Sequence, residues 1–329
     1  MPSADVLIVS LGSTPGLRVD VEELRGAMQR AGVAVEVVTA RSPGERRTFV
    51  LTDLAWARAA RAAARAGIAE HAPRALLYHT MTSALLWPKP GAIRFDAPAA
   101  ANRPGRHGIW QRPVERRRLA GAPLLVPVDA GTLAESPQPH ADAIVVPIPV
   151  EPSATPGAPA GPRDIAAITY AVNPQKKGLD LVLAAWAKAH REGEELLVAG
   201  ADVRVDAPGV RVTGRLDPAE YRALLRGSRV FVCAPRREDY GIAQLEALAD
   251  GCVLVTTAAP GPYAALALAR ALDPRFVVGH PGELGVALRS ALDAPPRGYA
   301  ERAAAALAPF RRSAVDATVR DELLPRLLR

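Results

Sequence analysis

Residues 230–256 read VFVCAPRREDYGIAQLEALADGCVLVT, and this stretch decides the fold. Val230–Cys233 is a short apolar run of the kind that forms a buried strand. Ile242, Leu245 and Leu248 follow at helical spacing, which predicts a helix with one buried face. Gly251 stops that helix, and Val253–Thr256 is a second buried run. Strand, helix and strand in this order make a βαβ unit, the building block of a parallel sheet covered by helices.

The alternation extends in both directions. Asp164–Thr169, Leu196–Ala199 and Val210–Thr213 read as strands, and Leu179, Val182, Leu183 and Trp186 line one helix face. In the first half, strands are expected at Asp5–Ser10, Val33–Thr39, Ala75–Tyr78, Ala92–Phe95, Leu124–Val128 and Ala143–Ile148. Asp20 and Glu23 stand at capping-box spacing and predict a helix start, with Gly32 as its stop. Between the halves, residues 151–162 read EPSATPGAPAGP, a composition that makes a semi-rigid linker. The expected division is a first Rossmann-like domain over 1–150, a proline-rich linker over 151–163, and a second Rossmann-like domain over 164–308. Residues 309–329 then form a C-terminal helix placed to pack back on the first domain. The 329 residues suffice for two separate cores. Two such halves predict a ligand cleft at the carboxyl ends of their strands.

With 49% hydrophobic and 23% charged residues, the chain reads as an ordinary globular protein rather than a disordered one. Cys233 and Cys252 are too few for a disulfide framework or an unaided zinc site. Met1-Pro2-Ser3-Ala4-Asp5 lacks the basic flank and apolar core of a signal peptide, so a cytoplasmic protein is expected. The uncharged run Gly251–Ala269 is long enough for a membrane span, but Pro260-Gly261-Pro262 divides it into strand, turn and helix. A net charge of +7 favours anionic partners: phosphorylated ligands, nucleic acid or an anionic membrane surface. Aromatic residues are only 5% and do not interleave with basic ones, which argues against nucleic acid. The arginines of Trp56–Ala69 read as a solvated helix face.

The chemistry concentrates after Cys233. Gly241 allows close backbone approach to a ligand, and the N–H groups of the following helix turn can hold phosphate. Glu238 precedes that helix and Glu246 lies two turns along it, about 10 Å apart at 1.5 Å per residue. Carboxylates so spaced cannot share a proton but can bind two different hydroxyls of one extended ligand. Solvated acids on a helix are the equally weighted alternative.

Glu238, seven intervening residues and Glu246, with Gly241 between and the run Leu245-Glu246-Ala247, resemble the E-x7-E motif of retaining glycosyltransferase family 4. Asn173-Pro174-Gln175-Lys176-Lys177-Gly178-Leu179-Asp180 resembles the family's Lys-Gly element. Gly251-Cys252-Val253-Leu254-Val255 is similar to its Gly-x-Pro-Val-Val. The resemblance covers residues 164–295 well and the first half in outline. It implies the GT-B fold, two Rossmann-like parallel-sheet domains facing a central cleft, and a hexosyltransferase-like activity of class EC 2.4. The donor it implies is a UDP- or GDP-linked sugar, a co-substrate with no further cofactor, transferred with retention to an acceptor hydroxyl. By position, Lys177 neutralises the donor phosphates, Glu246 binds the ribose and Glu238 holds hydroxyls of the transferred sugar. Gly241 and Ile242 offer backbone N–H groups to phosphate, and Arg215 and Leu216 lie where the family holds the base. Gly12-Ser13-Thr14-Pro15-Gly16 stands where the family places a glycine loop, with Gly12 and Gly16 facing the diphosphate. Such glycines are also common in any βα turn.

Departures from the family accompany these matches. Val172 occupies the position of an arginine five residues before the lysine, leaving Lys176 as a substitute phosphate contact. The family's first-half histidine is replaced by Phe95 or Asp96. Asp96 ends a strand on the acceptor side and is a candidate orienting group, with a turn-forming aspartate as the bland reading. No Asp-x-Asp pair is present, so metal independence is expected. The six arginines from Arg103 to Arg118, with His107 and Trp110, suit an anionic acceptor or a lipid surface, and equally an exposed basic loop leading into an amphipathic helix. The acceptor is open among a small molecule, a glycan and a lipid-linked species, with peripheral membrane contact for the last. His79 reads as a satisfied core residue and Cys233 as an inert buried thiol. A nucleotide-sugar epimerase or hydrolase on the same fold, or a non-catalytic nucleotide-sugar binding protein, remain alternatives.

Overall fold

The structure, a computed structural model, describes residues 4–44, 46–103, 105–154, 161–261 and 263–329. The chain divides into two compact units: Met1–Pro149 together with Arg312–Arg329, and Val150–Arg311.

The first unit holds strands β1 (Val6–Ser10), β2 (Val35–Thr39), β3 (Ala75–His79), β4 (Ala92–Phe95) and β5 (Leu125–Pro127) in the order β2-β1-β3-β4-β5, all parallel. Strand order reverses between β1 and β3, so loops after these strands diverge and leave a crevice at their carboxyl ends. Two local expectations fail here. The first helix begins at Pro15, where Thr14 accepts a hydrogen bond from the Leu17 amide, and not at Asp20. Proline at a first helical position costs no donor, so this start outcompetes the later one. Asp20 instead sits buried in the helix and accepts two hydrogen bonds from Arg94 of β4, at 2.8 and 2.6 Å. Ala143–Ile148 runs beside β5, with the Ile144 and Val146 amides donating to the Leu125 and Pro127 carbonyls and the Leu125 amide to the Asp142 carbonyl, but the pairing does not extend into a full strand ladder. Pro127 has no N–H to continue a ladder, and Pro147 interrupts the incoming segment.

Both faces of this sheet are buried. One carries Val6, Ile8, Leu77 and Val126 against Leu24 and Met28, and the same cluster takes in Val315, Val319, Leu323 and Leu324 from the end of the chain. Ion pairs of Arg30 with Asp316 and Arg312 with Glu23, each at 2.7 Å, fasten that final segment.

The second unit holds β6 (Ile165–Tyr170), β7 (Leu196–Ala199), β8 (Val210–Gly214), β9 (Ser228–Cys233), β10 (Val253–Thr257) and β11 (Val277–Val278) in the order β11-β10-β9-β6-β7-β8, again parallel. This is the doubly wound order, with its reversal between β6 and β9. Helices Leu179–Ala189, Ile242–Ala249, Ala264–Leu272 and Leu284–Asp293 bury Trp186, Leu245, Ala265 and Leu288. Residues 251–269 fold as strand then helix, with Pro262 outside the described residues, and no described helix is long and apolar enough to cross a membrane. The expected linker lies partly outside the described residues, at 155–160. Its described start is tied down: Arg222 donates to the Glu151 carbonyl, and the Ser153 amide and hydroxyl donate to Asp250.

Candidate functional site

Lys177 follows β6 and Glu238 follows β9, so the strand reversal of the second sheet brings together two residues far apart in the chain. The Lys177 Nζ donates to Glu238 Oε2 at 2.6 Å, with both side chains largely withdrawn from water. Gln244 Nε2, from the helix Ile242–Ala249, donates to the same oxygen at 3.3 Å. A charged pair with an added donor holds the carboxylate in one orientation.

Gly178 explains the Lys-Gly pair physically. Its φ is +64°, and a Cβ there would overlap the carbonyl oxygen of Ala234 just beyond β9. Only glycine lets the Lys177 turn pack this closely on the β9 loop. The contact is reinforced from the other side: the Arg236 amide donates to the Lys176 carbonyl, and its guanidinium to the Gln175 carbonyl and Asp180. Lys176 itself is exposed and 3.7 Å from Asp239, so it does not share the Glu238 site.

Gly241, at φ +86°, caps the helix Ile242–Ala249 without a side-chain cap. The first-turn amides therefore face whatever anion the site receives, with the helix dipole behind them. Ile242 is half-buried; the buried face is Leu245, Ala247 and Leu248 with Gln244, so Gln244 takes the inward place expected of Ile242.

Glu246 lies on the same helix but answers to a different cation. Arg222 approaches its Oε1 at 3.6 Å while donating to Asp250 at 2.6 Å. Burial pushes the Glu246 carboxyl up to about 7, Arg222 pulls it down, and Asp250 adds to the rise. Tyr170, at the end of β6, stacks at a tilt on Tyr221 with centroids 5.3 Å apart, and its hydroxyl feels Lys177, Glu246 and Arg215 together. Arg215 and Leu216 follow β8, the arginine exposed. Val172, in the place of an arginine, is exposed at 41%.

The remaining candidates lie in the first unit. Gly12 has φ +60°, and a Cβ there would come within 2.8 Å of the Thr39 methyl. Gly16 belongs to the first turn of the helix Pro15–Arg30 rather than to the loop. Asp96 follows β4, and its carbonyl accepts from Thr132 Oγ1 at 2.9 Å. His79 is buried beside Asp20, with Nε2 2.8 Å from Oδ2 but off hydrogen-bonding alignment. The thiol of Cys233 is pushed up to about 12 by burial, which removes its nucleophilicity. In the basic segment, Arg103 is committed to Asp53, with Gln111 on the same carboxylate, so Arg103 is a structural cation and not a free one.

Gln244, Arg222 and Tyr170 complete the site without having been legible as members of it. Gln244 stands six residues after Glu238 inside the quoted motif, a signal that was available. Arg222 and Tyr170 carry no local signal.

Residues 163–292 match the family described as Glycosyl transferases group 1, which identifies this part of the chain as a glycosyltransferase domain. Among solved structures, the chain is similar to a trehalose-phosphate synthase (UDP-forming) from Burkholderia xenovorans in complex with glucose-6-phosphate, at 16% identity and TM-score 0.69, covering 98% of this chain and 99% of that one. It is also similar to WaaG, a glycosyltransferase involved in lipopolysaccharide biosynthesis, at 17% identity and TM-score 0.68, covering 94% and 98%. A sucrose-phosphate synthase from Thermosynechococcus elongatus matches at 17% identity and TM-score 0.65, covering 94% and 96%. Two parallel-sheet α/β domains of this kind are the GT-B fold of these glycosyltransferases. No curated protein sequence matches the chain.

Proposed function

We propose that the protein transfers a hexose from a UDP- or GDP-linked donor to an acceptor hydroxyl, with retention and without a metal. The observation that carries this reading is the Lys177–Glu238 pair, held at 2.6 Å where strand order reverses between β6 and β9. A cation beside an uncapped helix start suits a diphosphate, and the carboxylate beside it suits sugar hydroxyls. Glu246, on the next turns of the same helix, would take the ribose, with Arg215 and Leu216 towards the base. Gly241 and Ile242 would give amides to phosphate, with Lys176 at the outer edge. In the first unit, Gly12 and Gly16 would face the diphosphate and Asp96 would orient the acceptor.

The chemistry is electrostatic. As the anomeric bond loosens, negative charge grows on the departing diphosphate, and Lys177 with the helix amides stabilises it. Glu238 meanwhile keeps the lysine placed and holds the sugar. A second reading, a non-catalytic nucleotide-sugar binding protein, draws on Val172, whose aliphatic side chain cannot contact phosphate.

Calorimetric titration with UDP and GDP, alongside incubation with radiolabelled nucleotide sugars, tests the proposal. Binding that falls by about 1.5–3 kcal/mol in Glu246→Ala, together with slow donor hydrolysis by the wild type, supports transfer. Binding without any turnover favours the sensor, and epimer release an isomerase. No nucleotide binding at all refutes the assignment.

A further inference from the structure

The first unit carries an apolar and cationic surface that the donor chemistry does not use. Phe49 and Leu51, at the start of the helix Phe49–His71, are 67% and 49% exposed, and Ile109 is 66% exposed. These residues come from two segments that pack together: the Phe49 and His107 rings meet edge to face at 5.8 Å, and the Trp110 indole N–H donates to the Val50 carbonyl at 3.3 Å. Exposed Arg46, Arg47 and Arg106 flank the apolar residues, with Arg116 and Arg117 exposed on the helix Gln111–Gly121. Neither 46–52 nor 105–112 contains an Asp or Glu. Of the flanking carboxylates, Asp53 is buried under Arg103 and Gln111 and Glu115 is buried on the Ala99 amide, while Glu45, next to Arg46 in the chain, lies outside the described residues.

We propose that this surface docks on an anionic lipid bilayer, with Phe49 and Ile109 entering the interface and the arginines lying among the headgroups. Large aliphatic and aromatic side chains left in water are explained when another apolar phase receives them. A cluster in which cations outnumber acids is complementary to a negatively charged leaflet. Trp110, half-buried with its N–H occupied, presents an amphipathic ring at the edge of the patch, the position such rings take at bilayer interfaces. A nucleic acid would use the arginines but has no place for Ile109 or Leu51, which cannot stack on bases. The inference needs no donor and stands apart from the donor-site reading.

Flotation of the full chain with phosphatidylcholine vesicles, with and without phosphatidylglycerol, tests it. The wild type should bind the mixed vesicles, lose binding as salt rises, and leave pure phosphatidylcholine largely unbound. Replacing Arg46, Arg47 and Arg106 together by Gln should lower partitioning roughly a hundredfold, at about fivefold per charge near the surface. Phe49→Ser with Ile109→Ser should lower it at least about tenfold. Ile109→Asp alone, at an exposed site that cannot unfold the unit, should also reduce it. The proposal is overturned if the wild type ignores anionic vesicles, or if either the charge or the apolar variants, melting like the wild type, bind vesicles as it does. Retention on duplex DNA in place of vesicles would also overturn it.

Discussion

Gly178→Ala isolates the geometry on which the donor site rests. Alanine at φ +64° costs about 1 kcal/mol relative to glycine. The new Cβ would also overlap the Ala234 carbonyl oxygen, a backbone atom that cannot rotate away. Relief requires the Gln175–Gly178 turn to lift from the β9 loop, which puts at risk the two hydrogen bonds from Arg236 to the Lys176 and Gln175 carbonyls. At about 1 kcal/mol each, the total is about 3 kcal/mol. For a unit of this length that lowers the melting midpoint by roughly 6–12 °C. Because Lys177 moves with the turn, affinity for UDP or GDP should fall at least about tenfold. Gly193→Ala is the matched control: its φ is +81°, but nothing lies within 4 Å of its Cβ position. It should lose only the backbone term, about 1 kcal/mol, and bind nucleotide normally. Thermal unfolding and calorimetric titration read both variants. If Gly178→Ala melts and binds like Gly193→Ala, close packing does not set the lysine, and the physical account of the Lys-Gly pair fails.

Lys177→Ala should weaken UDP or GDP far more than uridine or guanosine in titration, and Lys176→Ala should have the smaller effect; the reverse order would move the phosphate contact to Lys176. Because burial pushes Glu246 up to about 7, the carboxylate needed for ribose is lost on acidification, so nucleotide affinity should fall as pH drops from 8 to 6 and Glu246→Gln should flatten that dependence. Glu115, also pushed up to about 7 by burial, holds its proton more tightly folded than unfolded, so it costs stability once ionised. Stability should decline between about pH 4.5 and 7 by up to roughly 3 kcal/mol, and Glu115→Gln should remove that slope in denaturant titrations. Although burial favours protonation of Asp20, Arg94 and then His79 hold it well below the usual carboxylate range. Arg94→Met strands that charge, and urea unfolding should register a loss of about 3–5 kcal/mol.

What the sequence disclosed and what it withheld divide along the distance over which each signal acts. Strands such as Val230–Cys233 and Leu196–Ala199 were legible because a buried parallel strand is an apolar run bounded by turns. The capping-box reading of Asp20 went astray for the same local reason: the spacing was right, but a partner on β4 claimed the carboxylate. Ala143–Ile148 had the composition of a strand, and its amides reach the Leu125 and Pro127 carbonyls, but Pro127 has no N–H to return a ladder bond. At the site, residues 173–180 and 235–251 were visible as motifs, yet no spacing rule says that Lys177 should meet Glu238. They meet because β6 and β9 are neighbours, and sheet order is a property of the whole unit. Arg222 was invisible for that reason too, since nothing around it indicates that its guanidinium serves two acids of another helix.

The return of residues 312–329 to the first unit has a consequence for synthesis. The second unit is one uninterrupted stretch, whereas the first is assembled from two pieces separated by all of the second. As the chain leaves the ribosome, the first sheet must wait with one face only partly covered, by Leu24 and Met28, until Val315, Val319 and Leu323 emerge. The later-made unit can thus reach its native state before the earlier one. During that interval the waiting face is a surface a chaperone could shield. A stop codon shortly after Arg311 would leave the donor half intact while damaging a half whose own coding region is almost wholly upstream.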